Sequence, residues 1–118
     1  MLRIPIDLTT ATDGSATGYG QACAGFLYAV QLVDGDLADG VDLTLTCETD
    51  NLSIPLLTIA DFNTDQLVYP RVAEAKVTDG SALTFYTMPL AFGRPKAVLA
   101  SGGSGKSGSV ILFVVEEL

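Results

Sequence analysis

Strict alternation of apolar and polar side chains is the feature of this sequence that most restricts its fold. From residue 41 to residue 48 the chain reads Val-Asp-Leu-Thr-Leu-Thr-Cys-Glu, so every second side chain is apolar. Successive side chains of a β-strand point to opposite faces, so the pattern predicts a strand with one core face and one wet face. Residues 2–8 alternate in the same way, and Pro5, which cannot donate a ladder hydrogen bond, places this first strand at a sheet edge.

Two further segments are apolar on both alternating faces. Residues 25–33 read Gly-Phe-Leu-Tyr-Ala-Val-Gln-Leu-Val, and residues 110–115 have the same character. Such runs of branched and aromatic residues are typical of strands that are covered on both faces, so we expect both in the interior of a sheet. Weaker strand candidates are residues 52–57, 83–88 and 96–100. Residues 61–67 and 72–76 are the only segments with room for a helical turn.

Turn residues separate these predicted strands. Asp-Gly pairs stand at 34–35, 39–40 and 79–80, and a run rich in Gly and Ser covers residues 101–109. We expect this last run to connect the strands at 96–100 and 110–115 as a hairpin. Short strands separated by turns, in a chain of 118 residues, predict an all-β fold. The expected architecture is a compact antiparallel β-sandwich or jelly roll, formed as a single domain over residues 1–118.

Composition excludes several kinds of partner. Fourteen acidic residues against six basic ones give a net charge of −8, which repels phosphate backbones and argues against nucleic acid. The longest apolar run, residues 110–115, is far shorter than the roughly 20 residues that span a bilayer, so no membrane partner is expected. Pro5 and Asp7 interrupt the N-terminal region where a secretory leader would be continuously apolar, so we expect no cleaved leader.

Cys23 and Cys47 cannot form a zinc site alone, because the chain contains no histidine to help them. Both lie in apolar stretches, so we expect two free core cysteines, with one disulfide as the alternative.

The motif that most resembles a phosphate-binding loop is the run from Ser101 to Ser107. Its end, Gly105-Lys106-Ser107, matches the phosphate-binding loop pattern, but Ala100 stands where the first glycine should be. A strand, not a helix, is predicted after the run, so we expect no nucleotide site. Asp34, Asp36 and Asp39 could hold a calcium ion, yet their spacing fits no EF-hand and turn chemistry accounts for them.

Little in the chain favours catalysis. No histidine is present, no serine lies in a nucleophile-elbow context, and Asp13, Glu116 and Glu117 lack the arginines or aromatics of a sugar-cleaving site. We therefore predict that the protein is not an enzyme and uses no cofactor and no metal. Tyr69-Pro70-Arg71 has two interpretations: these residue types anchor protein interfaces, or Tyr69 packs on the core edge while Arg71 pairs with a neighbour such as Glu74.

Four stretches of the sequence resemble the small head-decoration, or cement, proteins of tailed bacteriophages. They are Arg3-Ile-Pro-Ile-Asp-Leu-Thr-Thr10, Asp39-Gly-Val-Asp-Leu-Thr-Leu-Thr46, Tyr69-Pro-Arg71, and Val98-Leu-Ala-Ser-Gly-Gly-Ser-Gly-Lys-Ser-Gly-Ser-Val110. The chain departs from the pattern at residues 72–77, where cognate proteins often carry an alanine-rich segment.

The resemblance implies a structural virion protein that binds the major capsid protein on the outside of an expanded shell as a homotrimer, after synthesis in the host cytoplasm. We expect residues 1–12 to form an N-terminal arm that faces the shell. The candidate contact residues are Arg3, Ile4, Pro5, Tyr69, Pro70 and Arg71. One alternative is a tail or vertex component of the virion. Another is a carbohydrate-binding β-sandwich with calcium at the Asp34–Asp39 turn and Tyr19 or Tyr69 as sugar platform, although the chain has no tryptophan.

Overall fold

A computed structural model describes residues 1–116, and in this range the chain forms ten β-strands and no helix. No helix that could cross a membrane is therefore present in these residues. All strand pairs are antiparallel, which confirms the predicted all-β antiparallel fold. The strands are β1 (Leu2–Thr9), β2 (Ala16–Tyr19), β3 (Cys23–Val33), β4 (Asp42–Thr49), β5 (Leu52–Ile59), β6 (Gln66–Val68), β7 (Val72–Ala75), β8 (Ala82–Thr87), β9 (Leu90–Ala100) and β10 (Ser107–Val115).

Two sheets share one hydrophobic core. Sheet A contains β1, β10 and β3 in that order, with β6 on the far side of β3. Sheet B contains β2, β9, β4 and β5. Strand β9 belongs to both, because residues 90–93 pair with β3 and residues 94–100 pair with β4. The change of sheet falls at Gly93, where φ is +111°, and strands that switch sheets at a bend form the corners of β-sandwiches.

The predicted alternation from residue 41 to residue 48 is confirmed. Val41, Leu43, Leu45 and Cys47 are each at most 1% exposed, and Asp42 lies on the opposite, wet face. Strand β1 is at the edge of sheet A, as Pro5 predicted. Gly35, Gly40 and Gly80 have positive φ angles, which confirms the three Asp-Gly turns.

Residues 2–9, within the segment 1–12 for which an N-terminal arm is expected, belong to the folded domain. Strand β1 pairs with β10 along its whole length, from Leu2 opposite Val114 to Thr9 opposite Ser107. Its inward side chains, Ile4, Ile6 and Leu8, are buried in the core. A segment with three core side chains and a complete ladder is part of the domain, because its removal would expose the face of β10.

Strands β3 and β10 each have neighbours on both sides, which confirms their interior positions. The sequence predicts that residues 25–33 are covered on both faces, but Tyr28 and Gln31 are exposed. The reason is that, among residues 1–116, no further layer covers the outer face of sheet A. The hairpin expected from 96–100 to 110–115 is also wrong. Residues 101–106 instead cross between sheets, because residues 94–100 lie in sheet B and β10 lies in sheet A.

Both candidate helical turns are wrong as well. Residues 72–75 form β7, and residues 66–68 form β6. Each of these strands pairs with a distant partner, β8 for β7 and β3 for β6. Pairing with a neighbour overrides the weak local preference that a few residues carry.

Candidate interaction surface

The outer face of sheet B is an ordinary wet surface. The residues that face outward on its four strands are mostly hydroxyl-bearing or charged: Thr17, Asp42, Thr44, Thr46, Glu48, Thr58 and Lys96. Lys96 Nζ lies 4.0 Å from Glu48 Oε1, and this is the one ion pair within residues 1–116. The composition of this face does not indicate a binding partner.

The outer face of sheet A has a different composition. In the strand register, Pro5 of β1 lies opposite Ile111 of β10, Ile111 lies opposite Gln31 of β3, and Gln31 lies opposite Leu67 of β6. Residues that are directly opposite on paired strands share a face. We define the groove as the depression of about 500 Å³ on this face. It is lined by Met1, Tyr28, Ala29, Gln31, Leu32, Asp65, Gln66, Leu67, Tyr69 and Phe113.

The same face continues as a second apolar area beyond the groove. Val115 of β10 lies opposite Phe26 of β3, and Phe26 lies opposite Leu90 of β9. Leu90 and Phe92 are 47% and 52% exposed. Contiguous exposed apolar surface of this kind marks an interaction site, whereas single exposed apolar residues do not.

A β-bulge in β3 organises the edge of the groove. Phe113 lies opposite Ala29 and Val114 lies opposite Leu27, so Tyr28 is an extra residue without a partner on β10. Bulges redirect a side chain and interrupt the ladder. The Tyr28 ring meets the Tyr69 ring edge to face, with 5.7 Å between the ring centroids.

Arg71 binds at the same bulge. Its Nη1 donates to the carbonyl oxygen of Tyr28 at 3.0 Å and to that of Pro70 at 2.6 Å. Its guanidinium carbon lies 5.7 Å from the centroid of the Tyr28 ring, so the cation also faces the aromatic ring. Of the two interpretations of Arg71, its pairing with Glu74 is therefore wrong, because the guanidinium binds these backbone carbonyls instead.

The structure divides the six candidate contact residues. Arg3 and Pro5 are exposed on the outer face of sheet A, and Tyr69 and Arg71 are exposed beside its groove. Ile4 is 0% exposed in the core, and Pro70 is buried at the base of its loop, so neither can contact a partner. Four residues from two distant segments thus come to one side of the molecule.

Strands β7 and β8 form a two-stranded hairpin, residues 72–87, which we call the arm. Within it only Leu83 is partly buried, and all other residues are exposed. Two contacts with β3 hold its base: Arg71 binds the Tyr28 carbonyl, and the Leu27 N–H donates to the Pro89 carbonyl at 2.9 Å. The sequence carried a signal for this hairpin, the Asp79-Gly80 pair between two short segments, but residues 72–76 favoured a helical turn.

Hydrogen bonds to neighbouring segments of the chain hold the glycine-rich loop from residue 101 to residue 106. The Lys106 N–H donates to Thr10 Oγ1 at 2.8 Å, and the Gly102 N–H donates to the Gly14 carbonyl at 2.9 Å. The N–H of Ser107, where β10 begins, donates to Asp36 Oδ1 at 2.6 Å. A phosphate cradle needs free N–H groups, and these three are already bonded.

The acidic turn also uses its carboxylates to bind the backbone. Asp36 accepts from Ser107, and Asp65 Oδ1 accepts from the N–H of Asp34 at 2.8 Å. The pKa of Asp34 is raised, mainly by burial and then by the charges of Asp39, Asp65 and Asp36. Its Oδ1 has no hydrogen-bond partner among residues 1–116. Within residues 1–116, no three potential metal-ligating side chains converge.

Both cysteines are free, as expected. Cys23 Sγ donates to the Ala91 carbonyl at 3.6 Å, and Cys47 is buried. Burial, followed by the neighbouring Cys23, raises the pKa of Cys47 to about 12. Burial also raises the pKa of Cys23, so both thiols are protonated at neutral pH.

Two other sequence candidates, Tyr19 and Asp13, have structural roles, and a third lies outside the described residues. The guanidinium carbon of Arg94 lies 3.9 Å from the centroid of the Tyr19 ring and covers one face of it, which reduces its use as a sugar platform. Asp13 Oδ1 accepts from the hydroxyl and N–H of Ser15, and these hydrogen bonds lower the pKa of Asp13. Glu117 lies outside the described residues.

The chain has little similarity to known proteins. No family model matches the chain, and no curated protein matches it. One solved structure, titled "Crystal Structure of FLHE", aligns over 94% of both chains at 15% identity with a TM-score of 0.43.

Proposed function

We propose that this chain is a structural virion protein that decorates the outside of a bacteriophage capsid as a homo-oligomer. Its partner is the major capsid protein, and its action is to stabilise the shell. The observation that carries the proposal is the contrast between the two outer faces. A protein with a groove and exposed apolar and aromatic side chains on one outer face, and mostly polar side chains on the other, is suited to attach by the first and present the second to solvent.

The size of the apolar face fits repeated attachment to a lattice. Three strands about 26 Å long and the short β6, about 10 Å long, at a spacing of about 4.8 Å cover roughly 420 Å². Standard interfaces bury about 800 Å² per partner, so a single copy would bind weakly. On a shell, oligomeric copies bind at many sites together, and avidity multiplies weak contacts by a factor of about 10²–10⁴.

The sequence supports the same function. The four stretches that resemble cement proteins include residues 3–10 and 69–71, and both contribute exposed side chains to the outer face of sheet A or its margin. Leu90 and Phe92 form an apolar area beside them, and exposed aromatic residues are typical interface anchors.

Co-sedimentation with expanded capsids that lack this chain tests the proposal. The wild-type protein is expected to pellet with the shells, and Phe92→Ser is expected to weaken attachment at least about tenfold, the loss of one anchor. Tyr19→Ser is the matched control, because Tyr19 is 45% exposed and lies on sheet B. Failure of the wild type to bind shells would overturn the proposal, and binding to purified tails alone would move the protein to another part of the virion.

A further inference from the structure

The arm lacks the packing that would make it stable alone. None of its residues belongs to the hydrophobic core, and Phe85 and Tyr86 are 69% and 67% exposed. In β8, Leu83, Phe85 and Thr87 alternate with the other residues, and Thr87 lies opposite Val72. One face of the arm is therefore apolar, with Val72, Leu83 and Phe85. An isolated two-stranded hairpin is marginally stable in water, so this face needs a partner surface.

The arm projects from the body instead of folding back over it. The molecule measures 48 × 27 × 25 Å, and eight arm residues at about 3.3 Å each account for roughly 25 Å of the long axis. The radius of gyration is 14.8 Å, against about 13.5 Å for a compact chain of this length. No residue of the arm lines the groove. The contacts at the base of the arm thus keep its apolar face away from the groove of the same chain.

Charge favours a second copy of the chain as the partner of the arm. The arm contains Glu74, Lys76 and Asp79, so it carries a net charge of only −1 and the rest of the chain carries −7. Two bodies of that charge repel each other when they approach directly. An arm of charge −1 adds little to this repulsion when it reaches a second body, and Lys76 brings a cation towards a groove whose lining includes Asp65.

We propose that the arm of one copy docks in the groove of a second copy, and that the chain self-associates head to tail into a closed ring. Each chain carries one apolar arm and one apolar groove, and the two cannot meet within one molecule. A heterologous contact of this kind closes into a ring when its rotation permits. The inference deepens the self-association within the proposed function, but it does not require a shell.

The size of the arm sets the strength expected of one contact. The arm spans 16 residues, from Val72 to Thr87, fewer than the roughly 20–30 residues per side of a standard interface. Ring closure lets each copy give one arm and receive one, which doubles the contact per copy. The groove is then occupied by the neighbour, and the shell contact of each copy in the ring is made by Arg3 and Pro5 at the edge of sheet A and by the area around Leu90 and Phe92.

Sedimentation velocity of the full chain, without shells, tests the inference. Wild-type protein at tens of micromolar is expected to be oligomeric. Phe85→Ser on the arm and Leu67→Ser in the groove are each expected to raise the dissociation constant at least tenfold. Both side chains are more than half exposed, so both variants should fold. Leu52→Ser, at a residue that is 59% exposed on β5, is the control and should remain oligomeric.

Mixing the two variants distinguishes arm docking from other modes of association. Phe85→Ser keeps an intact groove and Leu67→Ser keeps an intact arm, so an equimolar mixture is expected to form heterodimers while each variant alone is monomeric. A monomeric wild type, variants that remain oligomeric, or a mixture that fails to associate would each overturn the inference. Monomeric Phe85→Ser that still pellets with shells would leave capsid binding intact. A wild type that is oligomeric but does not pellet with shells would overturn the proposed capsid binding and leave the inference about the arm intact.

Discussion

Replacement of Gly93 by alanine tests the two-sheet architecture at the point where β9 changes sheets. A Cβ at this position would press against the backbone carbonyl oxygen of Glu48 and lie 2.7 Å from Thr49 Cγ2. The φ angle of +111° is one that residues with side chains rarely adopt. Glu48 lies in β4, so its carbonyl cannot move without a shift of the strand.

Gly40→Ala is the matched control for the loss of stability expected of Gly93→Ala. Gly40 has φ of +89°, but a Cβ there would meet only Asp61 Oδ1, at an ordinary 3.7 Å. The left-handed conformation costs about 1–2 kcal/mol, and the stiffer unfolded chain returns about 0.4–1 kcal/mol. We expect Gly40→Ala to lower the free energy of unfolding by about 0.5–1 kcal/mol. Gly93→Ala adds steric overlap of about 1.5–3 kcal/mol, for a total of about 2–4 kcal/mol.

Thermal melts followed by circular dichroism measure this difference. One kcal/mol corresponds to about 4 °C in a domain of this size, so Tm should fall by about 2–4 °C in Gly40→Ala and by about 8–16 °C in Gly93→Ala. If the two variants melt within about 2 °C of each other, the close packing of β9 on β4 at Gly93 is wrong, and with it the path of β9 between the sheets.

Three further predictions concern the core and its charges. Leu43→Asp should lower the free energy of unfolding by several kcal/mol, because it buries an unpaired charge, whereas Asp42→Asn on the wet face should leave Tm nearly unchanged in the same melts. Because the pKa of Cys47 rises from 9.0 to about 12 on folding, the unfolded chain loses this proton more readily. Stability should fall from about pH 9 towards pH 12, and urea titrations should show a weaker pH dependence in Cys47→Ala. The raised pKa of Asp34 means that its charge opposes folding at pH 7. Asp34→Asn should therefore add about 0.3–1 kcal/mol to the free energy of unfolding at pH 7 and little below about pH 4. Equal gains at both pH values would contradict the electrostatic cause.

Strands with local signals could be predicted from the sequence. The alternation around Leu43 and Leu45 identified core and wet faces, because a period of two residues follows from backbone geometry alone. Pro5 gave the edge position of β1 for a similarly local reason, the missing N–H. The path through residues 101–106 could not be predicted, because Gly and Ser serve hairpins and crossovers equally and only the distant partners of β9 and β10 decide between them.

The interaction surface was predictable only in part. The residue types of Tyr69 and Arg71 indicate an interface, the resemblance to cement proteins adds Arg3, and the register of β1, β10 and β3 brings these segments to one side. Ile4 lies in the same motif as Arg3, but alternation within the strand turns its side chain inward. Tyr28 gave no signal, since a β-bulge depends on how two strands align and leaves no mark on either strand alone.

The position of β10 between β1 and β3 determines the order in which the chain can fold during synthesis. Residues 2–9 are made long before residues 107–115, which are their ladder partner. Sheet A therefore cannot close until residues 107–115 have been made, and until then Ile4 and Ile6 lack their cover. Contacts so distant in sequence slow folding and prolong the exposure of unpaired edges. This period on the ribosome is when aggregation competes most strongly with folding.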